Sequence, residues 1–428
     1  MRVLLIGSGG RESAMAAALV RSPSVDELHS APGNPGIAEL GETRSVDIED
    51  PGAVVGLATD VGADLVVVGP EAPLVVGVAD ALEDAGRKVF GPRASAARIE
   101  GSKAFAKEML RRAGVTVPRW GSFEDAAKAV AFLDELGPPY VVKADGLAAG
   151  KGVVVTRDRD AAVAAVEDPL VRGSFGAAGR SIVVEEFLDG PETSLIAFSD
   201  GRNVASCEPA QDYKRVYDDD EGPNTGGMGS YSPVPACPPE IAAGIVAEVI
   251  EPVVRALADA GSPFVGALYA GLVLTSDGPR VLEFNARFGD PETQALLPRL
   301  QSDFGELCLA SADRDLSGAS LEFSSLACVS VVLASRGYPG SHDKGKVIEG
   351  IEEASDLEDV DVYHAGTARK GDSLVANGGR VLAVSALAPT FKSARERAYE
   401  AAEMIRFDGK HLRSDIALRA EEAEINSS

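Results

Sequence analysis

The run Val281-Leu282-Glu283-Phe284-Asn285-Ala286-Arg287-Phe288-Gly289-Asp290-Pro291-Glu292 decides how the rest of this chain reads. Side chains alternate faces along a β-strand. On that rule Leu282, Phe284, Ala286 and Phe288 form an apolar ridge toward a core, and Glu283, Asn285 and Arg287 share the opposite face. Successive polar members stand roughly 6.6 Å apart, twice the strand rise. A carboxylate and an amide oxygen at that spacing suit one or two Mg²⁺ ions that keep water and phosphate in their remaining positions. Arg287 beside them suits a phosphate or a carboxylate. Gly289-Asp290-Pro291 then ends the strand in a turn. An ordinary amphipathic strand with a wet polar face looks the same in isolation, so the upstream segments carry the decision.

The chain has 428 residues, 45% of them hydrophobic, and roughly two to four domains with real cores are expected. Acidic residues outnumber basic ones by 66 to 41, a net charge of −25, which excludes the basic footprint of a nucleic-acid binder. The acids are spread along the chain and read as a solvated surface. No apolar run approaches a membrane span, and the run at residues 3–6 is too short for a signal peptide. Cys207, Cys237, Cys308 and Cys328 form no C-x-x-C pair, so neither a zinc site nor a disulfide framework is indicated. The expectation is a reduced, cytoplasmic protein with no membrane and no nucleic-acid partner.

Residues 3–6 read as a buried strand, followed by Gly7-Ser8-Gly9-Gly10-Arg11-Glu12 and a helix to about residue 20. Such a turn can present backbone N–H groups to a phosphate. A dinucleotide fingerprint would place its third glycine where Glu12 stands, so nicotinamide binding is poorly supported and Arg11 suits a phosphorylated sugar better. Further strands at 64–68 and 88–90 imply an open parallel sheet. The loops holding Gly9 to Glu12, Gly33-Asn34 and Pro70-Glu71 should then share its carboxyl rim. Ser102 can cap a helix that opens at Glu100-Gly101-Ser102-Lys103 and runs to about residue 112.

Beyond that junction a strand at 140–144 carries Lys143, and Gly146-Leu147-Ala148-Ala149-Gly150-Lys151-Gly152 joins it to a strand at 153–155. The Walker pattern is absent, since Gly152 stands where Ser or Thr should. Small residues can nevertheless close over a triphosphate, with Lys143 and Lys151 neutralising it. The strand at 181–188 turns at Gly190-Pro191-Glu192 and offers backbone to an adenine edge. Phe187 and Leu188 offer apolar contact to its face, and Glu192 an acceptor for ribose hydroxyls. Residues 211–215 and 222–231 read as one long loop whose glycines imply φ > 0 or close approach to a ligand. A helix follows at about 239–260, then a hairpin of 266–274 with 280–288. From about residue 326, strands at 327–334, 346–348, 360–365 and 380–386 and a helix at 390–404 capped by Thr390 read as a small α+β domain closing the site, without a catalytic cluster.

The segments GSGGRES (7–13), VGPEAPLVVG (68–77), VVKADGLAAGKGV (141–153), GPNTGGMGSYSP (222–233) and VLEFNARFGDPETQ (281–294) resemble, in order and content, the glycinamide ribonucleotide synthetase (phosphoribosylamine–glycine ligase) family of the ATP-grasp superfamily. Two departures are Ser8, where asparagine is usual, and Ser13, where histidine is usual. The resemblance implies a multidomain α/β and α+β chain: an N-terminal open parallel α/β sheet (1–101), a two-part ATP-grasp fold (102–190 with the glycine-rich lid, 191–325 with the metal site) and a small C-terminal α+β domain (326–428). It also implies that glycine, 5-phosphoribosylamine and ATP give glycinamide ribonucleotide, ADP and phosphate through glycyl phosphate, a step of purine biosynthesis. ATP and Mg²⁺ (or Mn²⁺) are the implied cofactors. The partners are small molecules only, and the working form is a monomer, with a dimer as the alternative.

Residue by residue, the resemblance assigns the metal to Glu283 and Asn285. The nucleotide falls to Lys103, Lys143, Gly150, Lys151, Gly152, Glu185, Glu186, Phe187, Leu188 and Glu192. The other substrates fall to Gly9, Gly10, Arg11, Glu12, Asn34, Glu71 and Asp290, and catalysis to Arg287, Lys214 and Asp212. Two rivals are an ATP-grasp ligase with other substrates and a non-catalytic nucleotide sensor. A sensor could dispense with the metal acid, whereas Glu283, Asn285 and Arg287 are all present here.

Overall fold

The computed structural model of the protein describes residues 1–146, 152–174 and 176–427. Strands β1 (Arg2–Gly7), β2 (Glu27–Pro32), β3 (Glu42–Thr43), β4 (Leu65–Val68) and β5 (Lys88–Phe90) pair in parallel, in the order β3-β2-β1-β4-β5. Their apolar runs have a simple cause. Leu4, Ile6, Val66 and Val68 enter one core, while Val3, Leu5, Leu65 and Val67 enter another on the opposite face. A strand buried on both faces needs apolar residues at every position. Gly7 pairs with Pro32 and Ile6 with Val68, so the loops after β1, β2 and β4 lie on one rim, as expected.

The helix Lys103–Arg112 leads out of this sheet, with Ser102 Oγ accepting from Phe105 N at 3.2 Å as its cap. Glu100 and Gly101 end the preceding helix, Ala94–Gly101, instead of opening this one. Strands β6 (Trp120–Phe123), β7 (Tyr140–Ala144), β8 (Val153–Thr156) and β9 (Ile182–Glu186) form an antiparallel sheet in the order β6-β9-β7-β8. It has its own small core, in which Tyr140, Val142, Ile182 and Val184 meet Ala129, Leu133, Ala162 and Val166. Phe187 and Leu188 follow the end of β9 and so belong to the hinge, not to the strand.

The second grasp sheet contains β10 (Glu192–Asp200) and β11 (Val204–Ser206). Between it and its later strands run β12 (Gln211–Asp212), β13 (Arg215–Tyr217), β14 (Glu221–Asn224) and β15 (Gly229–Ser232). The stretch expected as one long loop is therefore mostly short strands. Its glycines serve close packing of the protein on itself: Gly227 has φ +108, and a Cβ there would stand 2.3 Å from Pro291 Cδ. The helical run at 239–259 is interrupted by a π turn, Val246–Ile250, just before Pro252, which has no N–H to donate to the carbonyl of Glu248.

Strands β16 (Val265–Thr275) and β17 (Gly278–Asn285) complete the sheet in the order β11-β10-β16-β17. Here strict alternation fails. Gly271 pairs with Glu283 but Leu272 pairs with Val281, so Leu282 is the extra residue of a β-bulge. Val281 and Phe284 are buried in its place, and Leu282 turns to the cleft described below. The strand also ends at Asn285, short of Phe288.

In the C-terminal part β18 (Ala327–Ser335), β19 (Lys346–Val347), β20 (Val360–His364), β21 (Thr367–Lys370), β22 (Ser373–Ala376), β23 (Arg380–Ala388) and β24 (Lys410–His411) follow. One sheet runs β12-β15-β18-β23-β20, with β24 added to β18, so two strands from before residue 233 belong to it. Strands β21, β22 and β24 escaped the periodicity reading because each is only two to four residues long. Thr390 caps the helix Phe391–Met404, accepting from Ser393 N at 3.1 Å. The acids at 218–220 are not a free solvated run. Asp220 meets Arg413 at 3.0 Å, and Asp218 accepts from Ser414 N at 2.8 Å.

Phe288, just past the site strand, fixes that strand to the rest. Its ring lies 5.5 Å from Phe198 of β10, 5.7 Å from Phe304 and 6.2 Å from Phe90 of β5. Emptying this position should destabilise the fold by about 3–5 kcal/mol. Phe288→Ala is therefore expected to lower the denaturation midpoint markedly, and an unchanged midpoint would mean the cluster is not a structural tie.

Candidate active site

The two grasp sheets face each other across a cleft of about 1140 Å³. The N-terminal rim closes one end, and C-terminal residues Tyr338 and Arg380 reach into it. Of the expected site residues, Arg11, Glu71, Lys103, Lys143, Gly152, Glu185, Glu186, Phe187, Leu188, Glu192, Asp212, Lys214, Glu283, Asn285, Arg287 and Asp290 all line this one cleft. Gly150 and Lys151 lie outside the described residues. Gly9, Gly10, Glu12 and Asn34 do not line it.

One wall is cationic over an apolar slot. Lys143 at the end of β7 and Lys107 on the helix Lys103–Arg112 both grip Glu185 on β9. Lys143 Nζ also donates to Leu282 O at 3.2 Å, a carbonyl displayed by the bulge. Burial works against the Glu185 charge, but the two ammoniums outweigh it and hold the carboxyl below its usual range. Burial pulls Lys103 and Lys107 below the usual lysine value, opposed by Glu283 and Glu185 respectively. Val141, Val183, Leu188 and Leu282 supply apolar surface alongside, and Phe187 is 38% exposed at the hinge. Such a wall offers a flat ring an apolar seat and an anion two or three cations.

The middle of the cleft is acidic. Lys214 pairs with Glu192 and stands 3.8 Å from Asp212. Burial alone would lower Lys214, but Asp212 and Glu192 outweigh it and raise it well above the usual lysine. Glu192, expected at a ribose, is thus engaged by Lys214. Burial pushes the Asp212 carboxyl up to about 7; Lys214 opposes this, and Glu292, Glu192 and Glu283 add to it. Tyr269 hydroxyl donates to Glu292 Oε1 at 2.9 Å, with Ser194 Oγ 2.7 Å from the same hydroxyl.

At the rim end, Arg287 lies between two acids: its Nε donates to Glu71 at 3.3 Å and its Nη2 stands 2.9 Å from Glu100. Arg11 donates through Nε to Glu12 at 2.5 Å and through Nη1 to Phe288 O at 3.1 Å. Glu12 is an internal brace, since its other oxygen accepts from Gly9 N at 2.6 Å. Asn34 is likewise committed, its amide nitrogen donating to Ser8 O, Ser13 Oγ and His364 O. Ser13 itself donates to His364 O at 2.5 Å, which places this departure from the family pattern in the seam with the C-terminal domain. Gly10 packs beside Gln294, where a Cβ would stand 2.7 Å from Nε2. Asp290 accepts from Gln294 at 2.7 Å and pairs with Arg380 at 3.0 Å.

The donor set suits a divalent cation. Among the described residues no donor or cation stands within bonding distance of the Glu283 carboxylate, although burial is outweighed by Lys214, Lys143, Lys103 and Arg287 and the group is held ionised. Turning the Asn285 amide lets its nitrogen donate to Phe284 O at 3.1 Å and Glu100 Oε1 at 3.2 Å. Its oxygen then serves as the acceptor on the other side of the group. A ready carboxylate and an oriented amide oxygen are hard ligands of the kind Mg²⁺ takes.

Glu100, Lys107, Tyr269, Glu292 and Arg380 line the cleft without having been singled out. Lys107 carried a signal, one helical turn after Lys103. Arg380 carried none: it comes from the start of β23 and reaches the carbonyls of Gly226 and Asp290 only through the sheet that β15 shares with β18.

Three family descriptions match the chain in succession: "Phosphoribosylglycinamide synthetase, N domain" over residues 1–100, its "ATP-grasp (A) domain" over 101–293 and its "C domain" over 328–419. The chain is 52% identical over 423 residues to a phosphoribosylamine–glycine ligase of Streptomyces coelicolor, covering 98% of this chain and 99% of the relative. It is 49% identical over 424 residues to one of Brucella melitensis, covering 99% of each. A crystal structure of a phosphoribosylamine–glycine ligase from Thermotoga maritima superposes with a TM-score of 0.85 at 33% identity, covering 97% of this chain and 100% of that one.

The raised carboxyl of Asp212 has a measurable consequence. An acid whose folded pKa exceeds its unfolded value stabilises the fold below the unfolded pKa, here 3.8, and loses that contribution as pH rises through about 7. Asp212→Asn should therefore raise the thermal midpoint of the ligand-free protein more at pH 8 than at pH 5. An equal shift at both values would show that Asp212 titrates normally.

Proposed function

The chain belongs to the phosphoribosylglycinamide synthetase family, and on that premise we propose that it joins glycine to 5-phosphoribosylamine, with ATP, to give glycinamide ribonucleotide, ADP and phosphate in purine biosynthesis. The observation that carries this reading is the single cleft: a wall of ammoniums over an apolar slot, a ready Glu283–Asn285 pair, and an arginine-bearing rim, in that order. In this reading the protein works as a monomer on small molecules in the cytoplasm. No helix among the described residues is long and apolar enough to cross a membrane.

In this reading residues 1–101 present the amine substrate, 102–190 and 191–325 grip the nucleotide and the metal, and 326–428 close the rim. Val141, Val183, Phe187 and Leu188 seat the adenine. Lys103 and Lys143 neutralise the triphosphate, with Gly152 lining the cleft beside them. Glu283 and Asn285 would hold Mg²⁺ or Mn²⁺, which when bound screens the charge between ADP and the departing phosphoryl group. The glycine carboxylate attacks the γ-phosphorus and ADP leaves. The amine of phosphoribosylamine then attacks the glycyl carbonyl, phosphate departs, and the new amide sheds one proton. No side-chain nucleophile is needed; the protein contributes positioning and charge neutralisation.

Asp212, Glu192 and Glu292 around Lys214 and Tyr269 suit the ammonium of glycine. Arg287 keeps two of its five N–H groups beyond Glu71, Glu100 and Phe288 O, enough to orient an acyl phosphate. Arg11 keeps three beyond Glu12 and Phe288 O, and with Glu71 and Asp290 it suits the phosphoribosyl end. Asn34, Glu12, Gly9 and Gly10 act on that end indirectly, by fixing the loop that carries Arg11.

ADP release that requires glycine and phosphoribosylamine together is the expected result, and release that ignores either compound would refute the reading. Glu283→Gln should lower kcat by on the order of a hundredfold or more, with the thermal midpoint moved by only a few degrees. A variant that unfolds would make Glu283 structural. Arg11→Lys, which keeps a charge for Glu12 but loses the fork, should raise the KM for phosphoribosylamine about tenfold and leave the KM for ATP nearly unchanged. Equal weakening of both would mean the two ends of the cleft are assigned in reverse.

A further inference from the structure

Lys107 has no part in the roles above, yet it sits inside the cationic wall. It lies four residues after Lys103, so both side chains leave the same face of the helix Lys103–Arg112. Its Nζ stands 2.6 Å from Glu185 Oε2, while Lys143 Nζ holds Glu185 Oε1. Lys107, Lys143 and Glu185 are 4%, 5% and 3% exposed, so this is a buried triad. Two ammoniums against one carboxylate leave one positive charge over. Among the described residues no second carboxylate pairs with either lysine. The Lys107 contact is also an ion pair without hydrogen-bond geometry, leaving Lys107 Nζ and Glu185 Oε2 with no hydrogen-bond partner. A buried, unbalanced charge is costly until an anion meets it.

We propose that Lys107 is a positioning residue for the triphosphate, acting through Glu185 on Lys143; this rests on the nucleotide reading above. By engaging Glu185 Oε2, Lys107 draws part of that carboxylate's charge away from Lys143. Lys143 then stays anchored by Glu185 Oε1 and by Leu282 O, yet retains an unneutralised charge for a phosphate oxygen. Without Lys107 the Glu185–Lys143 pair is neutral and closed on itself. An incoming triphosphate would have to draw Lys143 away from a buried carboxylate.

A double-mutant cycle on the full chain tests this. Lys107→Met should raise the KM for ATP about tenfold or more, while in a Glu185→Gln background the same change should move it less than about threefold. The KM for glycine should stay within about twofold throughout, and Lys107→Arg should restore most of the ATP affinity. Equal effects in the two backgrounds would overturn the inference, as would a parallel rise in the glycine KM or an unchanged KM for ATP. If Lys107→Met does not fold with Glu185 in place, the charge-balance argument is wrong, because the Glu185–Lys143 pair left behind is neutral, and the inference falls. Wild-type enzyme run alongside separates the two levels. Absence of glycine-dependent ADP release there would defeat the functional reading itself, whereas normal release with an additive cycle would defeat only the role of Lys107.

Discussion

Arg287 directs its guanidinium between Glu71 and Glu100, so three segments far apart in sequence meet on one charge. Glu71 comes from the rim of the N-terminal sheet, Glu100 from the helix that leaves it, and Arg287 from just past the metal-side strand. Glu100 also accepts from Ala286 N at 2.7 Å, so backbone and side chain are held together. A buried carboxylate is tolerated only when paired, and burial does push Glu100 upward against the pull of Arg287. The contact therefore fixes the distance between the rim and the end of β17. Phe288, the next residue, adds an apolar tie to Phe90 and Phe198 on the opposite face. The site strand is pinned from both sides at its last turn, where positional error would matter most.

The cleft is organised as a gradient of charge. Lysines gather where a triphosphate would lie, acids gather around Lys214 and Tyr269, and arginines with their own counter-acids stand at the rim. Phosphoryl transfer asks for few covalent steps and much electrostatic preorganisation. Most of these groups are already paired with one another, which keeps them rigid before any ligand arrives. The bulge residue Leu282 contributes directly, because its carbonyl accepts from Lys143.

Much of the lining of the cleft was legible from local chemistry. Glu283 and Asn285 were recognisable as two oxygen donors two residues apart at a strand end, and Arg287 as the arginine beside them, although the strand stops at Asn285. Lys143, which lines the cleft, stood out because a lysine at the end of an apolar strand has few other uses. The bulge was not legible: a one-residue insertion leaves no mark on composition, so Leu282 was assigned to the core that Val281 fills. The commitments of Glu12 and Asn34 were hidden as well, because a polar residue in a glycine turn looks the same whether it faces a ligand or braces the loop.

What the sequence determined by itself is the set of elements and the chemistry they carry, since periodicity, caps and glycine turns are properties of neighbours in the chain. Only the tertiary structure decided that β12 and β15 complete the C-terminal sheet, that Arg380 reaches Asp290, and that Lys107 shares Glu185 with Lys143. These are pairings between segments separated by tens to hundreds of residues. Their energy comes from burying charges and backbone groups that must find partners, and which partner they find depends on how whole sheets pack, not on anything local to either residue.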